Sequence, residues 1–275
     1  MRVISTEPQG IVKALNIGIS ECASELIARM DADDVSHPSR LRLQMEMMNS
    51  DSTLSVCGCS VRFFPRNKLL GGLLRYEEWM NSLILHDDIA RDLFIESPMP
   101  HPGVMLRTAE LKKLGGYEEH GWPEDYDLWL RYHLAGKKFG KIARPLIFQR
   151  TGPERLTFTD SRYSVENFLR AKAHYLAKLL LPQERNIALW GAGMTGRRLS
   201  KHLKREGLKI DAVIDVDPHK IGHTMHGLPI VSPDYLIGKG AFVISAVSSH
   251  NARQLIREYM NSIGSCEGCD FICAA

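Results

Sequence analysis

The sequence predicts an α/β protein built from two domains. Its 275 residues are more than one ordinary hydrophobic core organises. From Asn186 onward, short apolar runs alternate with helical patterns, which is typical of a parallel sheet with crossover helices. The polar stretch 182–185 directly precedes this alternation. We therefore predict a first domain over residues 1–160, a linker helix over 161–184 and a second domain over 185–275.

The composition argues against several classes of protein. The 35 basic and 32 acidic residues leave a net charge of +3, without the clustered basic stripe of nucleic-acid binders. No run of about 18 apolar residues predicts a transmembrane helix, and the N-terminus lacks the apolar core of a secretory signal. We expect a cytoplasmic protein with reduced cysteines, and leave open a peripheral position at the inner face of the membrane. The oligomeric state is not predicted.

The elements of the first domain follow from hydrophobic spacing. Ile11, Leu15 and Ile19 recur every four residues, which places them on one face of a helix. Ser36 is predicted to cap the next helix, with Pro38 in its first turn. The other expected elements are strands at 25–30, 54–64 and 103–106, short helices within 77–94, a helix at 123–134 and one or two strands within 138–149.

The second domain is expected to follow a long amphipathic helix over residues 164–181. Its sequence then alternates between apolar runs and helical patterns. The expected strands are 187–190, 210–214 and 242–247, and the expected helices are 194–205 and 252–261.

Three carboxylates lie within four residues in Asp31-Ala32-Asp33-Asp34, directly after a predicted strand. Crowded like charges raise one another's pKa, and a divalent cation removes that cost. Oxygen ligands with open positions for phosphate are what Mg²⁺ and Mn²⁺ use. An acidic turn that caps the following helix is the alternative.

Further motifs occur in order between residues 9 and 150. They are Gly10-x-x-x-Ala14-Leu15-Asn16-x-Gly18, Glu25-x-Ile27-Ala28-Arg29-Met30 before the acidic cluster, Pro38-x-Arg40-Leu41-x-x-Gln44, His101-Pro102-Gly103-Val104-Met105-Leu106-Arg107, Leu114-Gly115-Gly116-Tyr117 and Glu124-Asp125-Tyr126-Asp127-Leu128-Trp129-Leu130-Arg131. Together they resemble the family 2 glycosyltransferases of the GT-A fold. The resemblance implies an inverting transfer of sugar from a nucleoside diphosphate donor to a polysaccharide or lipid-linked acceptor.

The resemblance also implies roles for individual residues. Asp33 would bind Mn²⁺ or Mg²⁺, Asp31 would lie beside the ribose or the metal, and Asp125 would be the catalytic base. Arg150 resembles the late arginine of the family and is a candidate contact for the diphosphate, with an ordinary surface arginine as the alternative. The chemistry agrees, since an inverting transfer needs a carboxylate to accept the acceptor's proton and a cation for the leaving diphosphate.

His101, Trp122 and Glu124 are candidate contacts for the acceptor. Each has an alternative interpretation. A histidine before a proline can be structural, a tryptophan can belong to the core instead of stacking on a sugar, and acidic residues in a first turn interact favourably with the helix dipole.

The chain departs from the family at its start. Family members begin with a strand–helix–strand unit that holds the nucleoside, and such a unit takes about 30 residues. Here only a short stub precedes the helical pattern at residue 9. We therefore expect an incomplete GT-A domain that lacks its first βαβ unit, either as a truncated product or with an incomplete donor site. Its activity would then be impaired, and a sheet edge would be exposed.

A glycine-rich motif, Gly191-x-Gly193-x-x-Gly196, joins a predicted strand to a predicted helix. That context is required for a dinucleotide-binding loop, and Asp215 follows about 20 residues later, where a ribose would lie. The surrounding sequence resembles the small Rossmann-like domains appended to sugar-modifying bacterial enzymes. Gly191, Gly193, Gly196 and Asp215 are therefore a possible second nucleotide site, with NAD as an unfavoured ligand, but we favour a structural or partner-binding role for this domain. A non-catalytic or NAD-type binding module is accordingly our second hypothesis for the whole chain.

Overall fold

The computed structural model describes residues 3–249 and 251–275. Contacts between residues divide the chain into two compact units. Unit 1 consists of the residues up to 90 together with 97–163, and unit 2 consists of 91–96 together with 164–275.

Unit 1 combines a mixed sheet with helices that cover it. Its elements in chain order are α1 (Ile11–Ser20), β1 (Leu26–Ala28), β2 (Val35–Ser36), α2 (Arg40–Ser50), β3 (Leu54–Phe64), α3 (Gly71–Ser82), α4 (His86–Asp92, whose last two residues fall in unit 2), β4 (Met105–Arg107), α5 (Thr108–Lys113), α6 (Glu124–Leu134), β5 (Lys138–Arg150) and α7 (Leu156–Thr159).

The sheet of unit 1 has the strand order β1-β4-β3-β5-β2. The long strands β3 and β5 are parallel, and the pairs β1–β4, β4–β3 and β5–β2 are antiparallel. Strand β3 is buried along nearly its whole length, as its continuous apolar run predicts for a strand covered on both faces. β1 and β2 form the two edges, so the acidic residues between them cross from one edge to the other.

Ser36 does not cap α2, and this prediction is wrong. Val35 and Ser36 pair with Phe148 and Ile147 as β2. The N–H of the next residue, His37, donates to the Leu146 carbonyl. These bonds hold the chain extended past Ser36, so α2 begins only at Arg40.

Unit 2 contains a sheet that is almost entirely parallel. Its elements are α8 (Val165–Leu180), β6 (Ile187–Trp190), α9 (Met194–Arg205), β7 (Ile210–Ile214), β8 (Thr224–Met225), β9 (Leu228–Val231), β10 (Phe242–Ser245), α10 (Ala252–Ser262) and β11 (Phe271–Cys273). The strand order is β11-β10-β6-β7-β9-β8, with only β8 antiparallel to its neighbour. The order reverses at β6, where parallel α/β sheets bind ligands.

Helix α8, which we expected as a linker, packs as part of unit 2. Its buried face includes Ala171, Ala173 and Leu176, and it lies against α9. From this face the Lys172 ammonium donates to the carbonyls of Ile95 (2.7 Å) and Ala274 (2.9 Å). A helix with a buried stripe of this kind is an element of a core rather than a connector.

Residues 91–96 come from the N-terminal half of the chain but belong to unit 2. Lys172 binds one of them, as described above, and Arg257 binds another. The Arg257 guanidinium lies 2.6 Å from the Asp92 carboxylate and 2.8 Å from that of Glu267. Unit 2 is therefore assembled from two separate stretches of sequence.

Candidate functional site

The acidic turn lies between β1 and β2, and its three carboxylates differ in environment. Asp34 is buried, and its Oδ1 accepts the backbone N–H of Arg150 (2.8 Å). Burial raises the pKa of Asp34 to about 6, and the charges of Asp31 and Asp33 add to the effect, although the bond from Arg150 opposes it. Asp34 therefore holds the turn against β5, and Asp31 and Asp33 remain more accessible.

Arg150 is held beside the acidic turn, where a ligand would bind. Its Nε donates to the backbone carbonyl of Asp33 (3.1 Å). Its guanidinium carbon lies 4.9 Å from the centre of the Phe64 ring, a cation–π contact. The structure thus brings together Asp33 and Arg150, two residues that the sequence predicted at the donor.

The Asp33 carboxylate can accept a metal ion. It is exposed, and no described residue donates a hydrogen bond to it. Within residues 3–249 and 251–275, no group of three or more His, Cys, Asp or Glu side chains could hold a metal ion by itself. Mg²⁺ is commonly held by one or two carboxylates together with substrate phosphates, and Asp33 fits a site of that type.

The other predicted carboxylates lie at the start of α6. Glu124 is 2% exposed, and both of its carboxylate oxygens accept from the Tyr163 hydroxyl (3.0 and 2.8 Å). Burial raises the pKa of Glu124, and the bond from Tyr163 and the charges of Arg162 and Arg29 oppose this rise. Asp125 is only partly buried, and its Oδ1 accepts the N–H of Tyr126 (2.7 Å). Of these two neighbours, Asp125 is thus the more accessible carboxylate.

His101 and Trp122 were expected at the acceptor, but both belong to the core, with 7% of each exposed. His101 Nε2 lies 2.6 Å from the Tyr117 hydroxyl, and burial holds the pKa of His101 well below its ordinary value. Trp122 donates to Asp127 (2.9 Å) and stacks on His120. His101 Nε2 and Trp122 Nε1 thus have partners inside unit 1, and contact of either residue with an acceptor stays a prediction. Glu124 likewise binds Tyr163 inside unit 1, and its contact with an acceptor also stays a prediction.

The sequence analysis assigned no role to Tyr163 or to Arg29. Tyr163 lies 39 residues from Glu124 in sequence, so no local pattern could have related them. Arg29 forms an ion pair with Asp31 (Nη2 to Oδ1, 2.6 Å). Its charge also acts on Glu124 and on Tyr117. Arg29 therefore connects the acidic turn electrostatically with the start of α6.

The glycine-rich loop of unit 2 has the geometry that its sequence predicts. Gly191 has φ +121°, a conformation that favours glycine. A Cβ at Gly196 would overlap the Gly191 carbonyl, so only glycine allows α9 to approach β6 this closely. Gly193 precedes the first turn of α9, and a Cβ there would meet open space.

Asp215 supports this loop from the end of β7. Its Oδ2 accepts the N–H of Ala192 (2.9 Å), and its Oδ1 accepts the N–H of Asp217 (3.0 Å). Burial alone would raise the pKa of Asp215, but these two bonds and the Lys220 ammonium outweigh burial and hold it below its ordinary value. The carboxylate is therefore ionised and largely occupied with fixing the loop.

A cavity of about 610 Å³ opens beside the loop. Its walls combine apolar side chains with a few polar groups, as is usual for cofactor sites. Among its lining residues are Trp190, Gly193, Asp215, Lys220, Ser248 and Tyr259. The predicted glycines at 191 and 193 and Asp215 thus line one concave site.

Family models match both parts of the chain. Residues 1–115 match the model described as glycosyl transferase family 2, and residues 182–265 match that of the CoA binding domain. The residues that the structure describes include no helix with the length and apolar character needed to cross a membrane.

Several curated relatives are glycosyltransferases. The chain is 28% identical to the amylovoran biosynthesis glycosyltransferase AmsE of Erwinia amylovora, over 63% of this chain and 62% of that protein. It is 27% identical to an Escherichia coli UDP-Gal:alpha-D-GlcNAc-diphosphoundecaprenol beta-1,3-galactosyltransferase, over 53% and 50%. It is 36% identical to the O-antigen biosynthesis glycosyltransferase WbnJ of E. coli, over 43% of each.

The chain thus spans about half the length of these relatives. The α/β fold class, with a GT-A-like unit and an appended Rossmann-like unit, is confirmed. The predicted resemblance to the family 2 glycosyltransferases is confirmed over the N-terminal part of the chain, and the Rossmann-like domain appended to it matches the CoA binding domain.

Proposed function

We propose that unit 1 is a metal-dependent, inverting glycosyltransferase that acts on a nucleoside diphosphate sugar. The observation that carries this proposal concerns Asp33 in the acidic turn. Its carboxylate is exposed and accepts no hydrogen bond from a described residue, while its backbone carbonyl accepts one from Arg150. An open carboxylate beside a fixed guanidinium suits a metal–diphosphate group. The printed names of the relatives support an acceptor that is a polysaccharide or a lipid-linked sugar.

Each residue has a defined task in this mechanism. Asp33 would hold Mn²⁺ or Mg²⁺, and Arg150 would bind the diphosphate. The metal would supply positive charge to the departing diphosphate. Asp125 would accept the proton of the acceptor hydroxyl as its oxygen attacks the anomeric carbon on the face opposite the leaving group. Asp31 would lie beside the ribose or the metal.

Binding of UDP in the presence and absence of Mn²⁺, measured by calorimetry, tests this proposal. We expect metal-dependent binding that is lost in Asp33→Ala. Asp87→Ala is the matched control, because it removes another exposed aspartate of unit 1. Absence of metal-dependent UDP binding by the unmodified chain would refute the proposed activity.

A second candidate function belongs to unit 2, which we propose binds a nucleotide-containing ligand. The cavity beside the glycine-rich loop supports it, together with the close approach of α9 to β6 at Gly196. The match to the CoA binding domain makes CoA the first probe, and NAD is the second.

A bulky residue in the cavity tests the second candidate. Ser248 is exposed and lines the cavity, so we expect Ser248→Trp to abolish binding of either probe without disturbing the core. Ser262→Trp, at the end of α10 and outside the cavity lining, is the control. Failure of both CoA and NAD to shift the thermal unfolding of the unmodified chain would favour a structural role for unit 2.

A further inference from the structure

Arg29 is an almost fully buried cation that follows β1. Its backbone N–H donates to the Val104 carbonyl (3.0 Å), and its carbonyl accepts from Nη2 of Arg40 (3.0 Å). Only 10% of its side chain is exposed. The surrounding fold therefore fixes both the backbone and the side chain of Arg29.

Among the residues that the structure describes, the Arg29 guanidinium has a partner at only one of its three nitrogens. Nη2 lies 2.6 Å from Oδ1 of Asp31. Nε and Nη1 are buried and have no hydrogen-bond partner among residues 3–249 and 251–275. Nε carries one N–H and Nη1 carries two. Because buried donors on a charged group are costly to leave unpaired, these N–H groups mark a place where a ligand can bind.

The free N–H groups lie in the electrostatic reach of both halves of the candidate site. Asp31 of the acidic turn is in direct contact with the guanidinium. At the start of α6, burial raises the pKa of Glu124, and the positive charge of Arg29 counteracts this rise. Burial likewise raises the pKa of Tyr117, and Arg29 again opposes the change. Arg29 is thus a positive charge in contact with Asp31 that also acts electrostatically on Glu124 and Tyr117.

The chemistry of the ligand follows from these donors. A guanidinium only donates hydrogen bonds, and several donors on one planar cation suit the oxygens of a phosphate group. We propose that Arg29 binds the diphosphate of the sugar donor through Nε and Nη1, while Nη2 holds Asp31 in place. This inference rests on the proposed function of unit 1, and it adds a second arginine to the diphosphate site besides Arg150.

Arg29 would act most strongly as the diphosphate departs. The bond between the anomeric carbon and the diphosphate oxygen breaks, and its electron pair stays on that oxygen. The acceptor oxygen bonds to the anomeric carbon and loses its proton to Asp125. Because Arg29 is already fixed before the reaction, it meets the growing negative charge without reorganisation.

Substitution by lysine separates the charge of Arg29 from its extra donors. Arg29→Lys keeps a cation that can pair with Asp31, but it has no group to replace Nε and Nη1. We expect UDP to bind this variant about 10- to 100-fold more weakly in the presence of Mn²⁺, as for the loss of a charged hydrogen bond. Arg42→Lys is the matched control, because Arg42 is exposed and pairs with Glu46 on the same helix.

A second measurement on the unmodified chain does not depend on the folding of a variant. This measurement follows the ¹⁵Nε resonance of Arg29 as UDP or inorganic diphosphate is added with Mn²⁺. The resonance is assigned by its absence from the spectrum of Arg29→Lys. We expect the resonance to shift at saturation. An unchanged UDP affinity in Arg29→Lys, or an Arg29 resonance unmoved by saturating diphosphate, would overturn the inference.

The two probes distinguish this inference from the proposed function. If UDP fails to bind the unmodified chain, the proposed function fails, and the titration with inorganic diphosphate still decides whether Arg29 binds that group. If UDP binds and Arg29→Lys binds it equally well, only the role of Arg29 is wrong.

Discussion

Replacement of Lys172 by methionine tests the energetics of unit 2 directly. Lys172 is buried in α8, and its ammonium donates to the carbonyls of Ile95 and Ala274. Burial lowers the pKa of Lys172 from 10.5 to about 8, the charge of Glu96 opposes this change, and that of Arg253 adds to it. Lys172→Met removes the titrating group and keeps an apolar side chain of similar length.

The pKa of Lys172 sets both the sign and the size of the effect. In the unfolded chain the ammonium keeps its proton up to about pH 10.5, whereas the folded chain releases it near pH 8. Between these values the unfolded state binds more protons, so the free energy of unfolding rises with pH. At about 1.4 kcal/mol for each pH unit, Lys172 contributes a rise of about 3 kcal/mol, which should be missing in Lys172→Met.

Urea-induced unfolding of the full chain, followed by circular dichroism at several pH values from 7.5 to 10.5, measures this contribution. The quantity to compare is the difference in unfolding free energy between the unmodified chain and Lys172→Met. Lys178→Met is the matched control, since Lys178 is exposed on the same helix, and its difference should stay constant. A constant difference for Lys172→Met over this range would refute the reasoning from burial.

Three further predictions concern single residues. Asp125→Asn should lower kcat for sugar transfer about 10²- to 10⁴-fold, the usual contribution of a general base, while UDP binding measured by calorimetry stays unchanged. Gly196→Ala should destabilise unit 2 by about 2 kcal/mol or more in urea unfolding, because its Cβ would overlap the Gly191 carbonyl. Asp34→Asn should be more stable relative to the unmodified chain at pH 8 than at pH 4, when unfolding free energies are compared in urea. Burial favours the protonated carboxyl, whose pKa is about 6, and the native state of the unmodified chain therefore loses stability as the pH rises from about 4 to 6.

Much of the fold was predictable from local patterns. The bounds of β3, β6, α9 and β7 agree with the sequence predictions, because continuous apolar runs and a glycine-rich loop specify these elements locally. The three strands predicted in the second domain lie in a sheet of six. The short strand β8 owes its existence to pairing with β9 rather than to its own two residues.

The candidate site was predictable where local sequence motifs specify its residues. Asp31, Asp33 and Asp125 were identified from motifs, and Arg150 lies beside Asp33 as the resemblance implies. The burial of His101 could not be read from its neighbours in sequence, because its partner Tyr117 is 16 residues away. The free nitrogens of Arg29 were equally hidden, since pairing and burial depend on the packed fold.

The split origin of unit 2 has a consequence for engineering by domain exchange. A cut after residue 163 separates the longer stretch of unit 2 from unit 1, yet it leaves behind residues 91–96, to which Lys172 and Arg257 are bonded. In a fragment that starts at Ser164, the buried Lys172 and the partly buried Arg257 would each have lost an acceptor. A C-terminal domain that is moved into another protein therefore needs residues 91–96 as well, or designed replacements for both cations.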